Sequence, residues 1–474
     1  MRQQYEPSAD RIIALYQQLE DDILSAVIRR ILKMGYVSEA SKHQLEVLQA
    51  AGLLYDDIVQ LIADRTDACT AQVKALFEDA GVQTVEIDNS LHEAAGALPI
   101  DIRQDSSTRQ VLEAGYKKTL GTMRNLVSTT ATQTQTAFIQ TCDRIYMQVS
   151  SGAFSYQEAI MNALRALADT GAEVVYPTKH KDRMDVAVRR CVLTGVSQTA
   201  AAVSLQQAEN AGCYLMEITA HSGARPDHAK WQGQLVTITG KDAGKIIDGL
   251  RVFTLSEIGY GSGEGFKGWN CRHNWHAYYP GLSTPNYTPE ELKKLDEPCI
   301  SYNGKLYTEY EVSQMQRAQE RRVRAWKRRC VTAQEGVNSA TDEATRATAQ
   351  AEFDRSARYL KNNEAKLKDF CRQTGQDRDR FREQVLGFNR STAQKAVHAA
   401  KKSGLTSGGK DGIIKAGGKI TDKNFMKTLE YDEQAKNFYK KCCENDSDIE
   451  FITKNTDFTY DEIKSIKSHM MIEE

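Results

Sequence analysis

Residues 182–220, DRMDVAVRRCVLTGVSQTAAAVSLQQAENAGCYLMEITA, decide the fold, because their texture changes at Gly212. Up to Ala211 the stretch reads as one long helix. Beyond it come short strand-like runs, YLMEITA (214–220), QLVTITG (234–240) and RVFTL (251–255), separated by glycines and charged turns. A helix feeding short strands predicts a small α+β unit over 186–282.

Towards the N-terminus everything reads as helix. Between 8 and 33, Ile12, Leu15, Tyr16, Leu19, Ile23, Val27 and Ile31 recur every three or four positions, and Gly35 follows as a stop. Two further patterns cover 38–51 and 55–80, the second with Ile58, Ile62, Val73, Leu76 and Phe77. After the interruption LPIDIRQDSS, residues 108–149 read as one or two long helices and 155–171 as a compact one ended by glycine. Three apolar faces in succession predict a helical bundle over 1–185. Towards the C-terminus, GLSTPNYTP opens an expected linker over 283–310. A long charged helical region is expected over 311–387 and a small helical module over 388–474, beginning at the glycine-rich break SGLTSGGKDGIIKAGGK. The fold class expected is mainly α with a small α+β domain.

Composition narrows the function. At 474 residues, 41% hydrophobic and 26% charged, the chain has the balance of a globular protein of several units. The net charge of −1 leaves attraction to nucleic acid to local patches. No apolar run is long enough to span a membrane, and MRQQYEPSADRI lacks the core of a signal peptide, so the chain is expected to stay in the cytosol where it is made. Its 10 cysteines are scattered apart from the adjacent Cys442 and Cys443, with no CxxC spacing, and read as reduced thiols.

Four of the nine histidines and three of the four tryptophans fall in 221–276, within HSGARPDHAKWQGQ (221–234) and GFKGWNCRHNWHAYYPG (265–281). Two readings compete there. Cys271, His273 and His276 offer metal ligands that His221, Asp227 or His228 would complete. Alternatively the polar side chains form hydrogen bonds that fasten two glycine-rich loops to a small sheet, since loop backbone must find partners. The second reading is preferred, and no cofactor is expected. Gly263, Gly265 and Gly268 spell GxGxxG, but no clear strand leads in and no helix follows, so the motif reads as a flexible loop. Asp227 and His228 with Asn270 and His273 or His276 invite comparison with histidine-asparagine nucleases, at a spacing too long for a compact metal hairpin. A nucleophilic Cys271 paired with His273 is disfavoured because neighbours on one short segment seldom point at each other.

These segments carry a family resemblance. DVAVRRCVLTGVSQT, ITAHSGARPDHAKWQGQ and GWNCRHNWHAYYPG together resemble phage minor capsid protein 2, a relative of the Mu F-like head morphogenesis proteins. The matching positions are Arg189, Arg190, Thr194, Gln198, His221, Arg225, Asp227, His228, Trp231, Gln232, Gly233, Asn270, Cys271, Arg272 and His273. His273 stands where many relatives carry a second cysteine. The resemblance covers about residues 1–330, with its specific motifs in 180–281. It implies a non-enzymatic virion protein of the phage head, few in copies, partnered by the portal protein and other capsid subunits and needed for head assembly or DNA delivery. Some relatives carry toxin-like C-terminal extensions, so the alternatives are an effector enzyme there or a metal-dependent nuclease using His228, His273 and His276. Packaged double-stranded DNA is a further expected partner. Between Glu311 and Cys330 there are seven basic residues against two acidic ones, and Arg317, Arg321, Arg322, Arg324, Lys327, Arg328 and Arg329 are the expected phosphate contacts.

Overall fold

The computed structural model describes residues 2–402 apart from 37, 103 and 177. The glycine-rich break, the Cys442 and Cys443 pair and the rest of the expected C-terminal module beyond 402 lie outside the described residues. The described chain is mainly helical, with three small sheets.

Helix α1 (Arg2–Met34) buries the stripe that its periodicity announces, Ile12, Tyr16, Leu19, Ile23, Val27 and Ile31. Gly35, at φ +65°, ends it in the left-handed conformation that glycine adopts without steric cost. Helix α2 (Ala40–Ala94) is one unbroken rod of 55 residues where the sequence suggested two. Val47, Ala51, Leu54 and Ile58 keep a single buried stripe running past Gly52, and that burial outweighs the roughly 1 kcal/mol a glycine costs inside a helix. Helix α3 (Ser106–Ser150) starts on Asp105, whose carboxylate accepts from the Thr108 amide at 2.7 Å. Helix α4 (Tyr156–Thr170) starts with a reciprocal pair between Ser155 and Glu158. A two-stranded ladder, β1 (Glu173–Val175) and β2 (Lys181–Arg183), leads into α5 (Met184–Asn210).

Helix α5 belongs to two cores. Its first half, from Met184 to Val196, packs into the bundle core with α1, α2 and α3, and Ala201 and Ala208 of its second half pack into the core of the sheet. The α3–α5 crossing is close because both helices present glycines: a Cβ on Gly115 would meet Thr199 Oγ1 at 2.0 Å, and one on Gly195 would meet Thr119 Oγ1 at 2.2 Å.

The sheet combines β3 (Leu215–Ile218), β4 (Leu235–Thr237), β5 (Ile246–Ile247), β6 (Leu250–Thr254) and β7 (Trp275–Tyr278) in the order β5-β6-β4-β3-β7, with a four-residue helix α6 (Pro226–Ala229) between β3 and β4. All pairs are antiparallel except β4 with β6. Alternation along the strands separates two apolar faces. Met216, Ile218, Val236, Phe253, Trp275 and Ala277 face α5 and the glycine-rich loops, while Leu215, Leu235, Val252 and Tyr278 form a smaller core on the other side.

The stretch expected as a linker is structured. It holds α7 (Pro289–Leu295) and a hairpin of β8 (Ile300–Tyr302) with β9 (Lys305–Tyr307), and Ile300, Tyr302 and Tyr307 pack on the core that α8 (Glu309–Ser339), α9 (Glu343–Thr374) and α10 (Arg390–Lys402) form. Helix α8 also lies against the bundle. Arg324 donates to the buried Asp185 carboxylate of α5 at 3.0 Å, with Arg328 at 3.7 Å, and Arg183 pairs with the buried Glu20 of α1 at 3.0 Å. Burial alone would raise the Asp185 pKa, but the guanidiniums of Arg324, Arg328 and Arg183 hold it below the usual value.

Candidate functional site

The loop after β3 and the loop before β7 meet over the α5-facing side of the sheet. The first carries His221 and, on α6, His228; the second carries Cys271 and His273. One ligand atom from each of His228, Cys271 and His273 lies within 4.8 Å of the others, and all three side chains are buried. The His221 ring lies 4.4 Å, centroid to centroid, from His273 at a tilt of 33°, and His228 lies at 5.3 Å.

Each imidazole has one nitrogen committed to an oxygen. His221 Nδ1 lies 2.8 Å from the Ser222 carbonyl, His273 Nε2 lies 3.2 Å from Gln232 Oε1, and His228 Nε2 lies 2.8 Å from the Glu264 carbonyl. With those N–H groups donated, His221 Nε2 is a buried nitrogen with no hydrogen-bond partner among the described residues, and His273 Nδ1 faces Cys271 Sγ at 3.5 Å. Arg225 stands on the same Glu264 carbonyl and 2.7 Å from His228 Nε2. Burial pushes the pKa of all three histidines down, that of His273 to about 2, so near pH 7 the rings are neutral. Trp231 closes the cluster from below, edge-on to His273 at 4.7 Å and to Phe266 at 5.8 Å. Above it opens a cavity of about 180 Å³, lined by His221, Arg225, Cys271 and His273 and by Tyr310 and Arg317 of α8.

Two expectations change here. His276 does not join Cys271 and His273: it sits in β7 one step out of phase with Trp275, so strand alternation turns it to the other face. There it pairs with the fully buried Glu217 at 3.3 Å, whose carboxylate also accepts from the Asn286 amide at 2.9 Å and Asn286 Nδ2 at 2.8 Å. That removes one of the three histidines the nuclease reading needs. Cys271 and His273, by contrast, do point at each other. Asp227 is exposed and sits 3.6 Å from Arg225.

The GxGxxG run is a loop folded tightly on itself. A Cβ on Gly265 would meet the Gly259 carbonyl oxygen at 2.1 Å, one on Gly268 the Gly263 oxygen at 2.3 Å, and one on Gly263 the Trp269 ring at 2.8 Å. Its glycines serve close backbone approach within the loop, and Phe266 and Trp231 plug it into the sheet core.

The other matched positions tie this unit to its surroundings. Arg189 pairs with Asp10 of α1 at 3.1 Å, Arg190 with Asp182 at 2.6 Å, and Gln198 donates to the Lys267 carbonyl at 3.2 Å. Gly233, at φ +68°, leaves no room for a side chain beside Leu292 of α7. Asn270 also has positive φ, and Arg272 is exposed. A groove of about 1120 Å³ that sequence reading missed runs between α3 and α5, with Arg190, Thr194, Gln198 and Lys267 in its wall. No single segment could announce it, because its lining is shared among four parts of the chain.

The basic run of α8 is mostly spent inside the molecule. Arg324 and Arg328 serve Asp185, Arg329 forms a two-pronged pair with Asp169 at 2.8 and 2.9 Å, Lys327 donates to the Glu383 carbonyl at 2.9 Å, and Arg317 lines the histidine cavity. Arg321 and Arg322 are the exposed members of the run.

Comparison with known proteins identifies relatives of the chain. The family model described as Phage minor capsid protein 2 matches residues 2–372. A "Structural protein" of Lactococcus phage LL-H is 24% identical over 333 residues, covering 68% of this chain and 86% of that protein. A "Structural protein" of Lactococcus phage mv4 is 37% identical over 81 residues, 17% of this chain and 57% of that protein. No solved structure matches.

Proposed function

The chain belongs to the phage minor capsid protein 2 family, and from that premise we propose that it acts without catalysis, docking on the portal protein and neighbouring head subunits to assist head assembly or DNA delivery. The observation that carries this reading is the outer side of α2. Leu45, Leu48, Leu53 and Val59 are between 43% and 65% exposed along a few turns of one rigid helix. Single exposed leucines are ordinary, but Leu45, Leu48 and Val59 share one side at helical spacing, with Gly52 and the half-buried Tyr55 between them. An apolar strip of that kind marks a contact surface.

Co-expression of the full chain with the portal protein of its phage tests this. The wild-type chain is expected to co-purify with portal assemblies, and L45E/L48E to fold with an unchanged circular dichroism spectrum and to lose that association. Equal recovery of the two would remove α2 from the docking surface, and no recovery of either would reject the portal assignment. Arg321 and Arg322 are the surface through which α8 would touch packaged DNA.

A further inference from the structure

The histidine loops hold a donor set for which hydrogen bonding alone gives an incomplete account. We propose that Cys271, His228 and His273, with His221 on the cavity side, bind one zinc ion that fastens the two glycine-rich loops to the sheet. The inference does not depend on the portal reading above.

Four observations carry it. The three ligand atoms already lie within 4.8 Å of one another in a buried site. Cys271 Sγ and His273 Nδ1 are 3.5 Å apart, and a tetrahedral zinc with bonds of about 2.3 Å to sulfur and about 2.0–2.1 Å to nitrogen has a sulfur–nitrogen edge of about 3.6 Å. His221 Nε2 is buried with no hydrogen-bond partner among the described residues and belongs to a ring whose centroid lies 4.4 Å from that of His273. Finally, His221 and His273 each have an oxygen placed to accept the proton of their other nitrogen, the Ser222 carbonyl and Gln232 Oε1, and His228 Nε2 lies between the Glu264 carbonyl and the Arg225 guanidinium. Metal-bound histidines carry that arrangement almost without exception, because it fixes the tautomer and leaves the facing nitrogen bare.

The ligand types select the metal. One thiolate with imidazoles suits zinc, whereas calcium and magnesium demand oxygen ligands. On binding, the Cys271 thiol gives its proton to solvent, and the resulting thiolate offsets part of the ion's charge. Lys267, Arg272 and Arg317 place further positive charge around the cluster, and Arg225 opposes the ion most directly, because its guanidinium also approaches His228 Nε2 at 2.7 Å. It does not obstruct if it stays on the Glu264 carbonyl while His228 presents its other nitrogen. The separation of 4.8 Å must also shrink by on the order of 1 Å, which side-chain rotation about irregular loop backbone can supply.

The test uses the full-length chain, stripped with chelator, incubated with zinc and dialysed, with metal measured by elemental analysis. Cobalt(II) is then substituted to report on the ligands by absorption. About one zinc per chain is expected, with a thiolate-to-cobalt charge-transfer band in the near ultraviolet. C271S should lose the band and hold zinc at least tenfold more weakly, while H276A, on the opposite face of the sheet, should keep both. R225A should bind at least as tightly as wild type. Failure of the wild-type chain to retain zinc, a cobalt complex without the thiolate band, or equal binding by C271S would each overturn the proposal. Should C271S fail to fold, the presence or absence of the band in the wild-type chain decides alone.

Discussion

Gly265 and Asp88 show how single positions constrain this protein. The Cβ of Gly265→Ala would stand 2.1 Å from a backbone oxygen, which cannot swing away as a side chain can. The substitution should cost about 2 kcal/mol or more, read as a lower urea midpoint. Gly121→Ala, in mid-helix with nothing within 4 Å, should instead add up to about 1 kcal/mol. Asp88, buried between α2 and α5, accepts from Ser204 Oγ at 2.6 Å, and burial pushes its pKa up to about 6 from 3.8. Since the folded value is the higher, the stability it contributes is fully present below pH 3.8 and is lost as pH rises towards 6. Asp88→Asn, which keeps an acceptor for Ser204, should therefore stabilise the protein at pH 7, and the gain should vanish in unfolding curves taken at pH 4. Part of the histidine cluster was open to sequence reading through parity. Residues 271 and 273 are two apart and share a side in extended chain, while 276 falls on the opposite one. The approach of His221 and His228 was not, because it depends on two loops meeting across the sheet.

Among the helices, local pattern and tertiary setting divide the explanation. The stripe of α1 and the Ser155–Glu158 start of α4 were readable directly, since each is written within one or two turns. Thr308 and Glu311 repeat that device at the start of α8, and Thr308→Ala should cost about 1 kcal/mol in urea unfolding. The unity of α2 was hidden because Gly52 looks like a break until its neighbours Ala51 and Leu54 are seen to be buried on the same side. Misreading α8 had a similar source. Seven cations in twenty residues suggest a phosphate-binding face, yet Asp185, Asp169 and Glu383, which engage four of them, lie far away in sequence. Asp185→Ala would remove the carboxylate that Arg324 and Arg328 approach and leave the buried pair to Glu20, and a loss of about 3 kcal/mol is expected in the same urea assay. Arg322→Ala, on the exposed side, should change stability by less than about 0.5 kcal/mol.

For the molecule as a whole, α5 explains why the bundle and the sheet do not behave as beads on a string. One helix supplies core residues to both, so a surface on the bundle is held rigidly to the histidine loops. The expected linker at 283–310 is likewise packed, through Ile300 and Tyr302, and not a hinge of bare chain. The basic surface of α8 that remains exposed is small. If Arg321 and Arg322 each neutralise one phosphate, binding of double-stranded DNA by the full chain should fall with salt at a logarithmic slope of about −2, and R321E/R322E should abolish it. An unchanged slope in that variant would end the assignment.

The proposed docking role is tested most directly by cross-linking mass spectrometry on intact phage particles that carry this chain. Lys42 and Lys74 project from α2 on either side of the exposed leucines and report on whatever covers them. Cross-links from these lysines to the portal protein or an adjoining head subunit are predicted. Particles in which the chain is present but both lysines link only within the same chain would contradict a docking surface on α2.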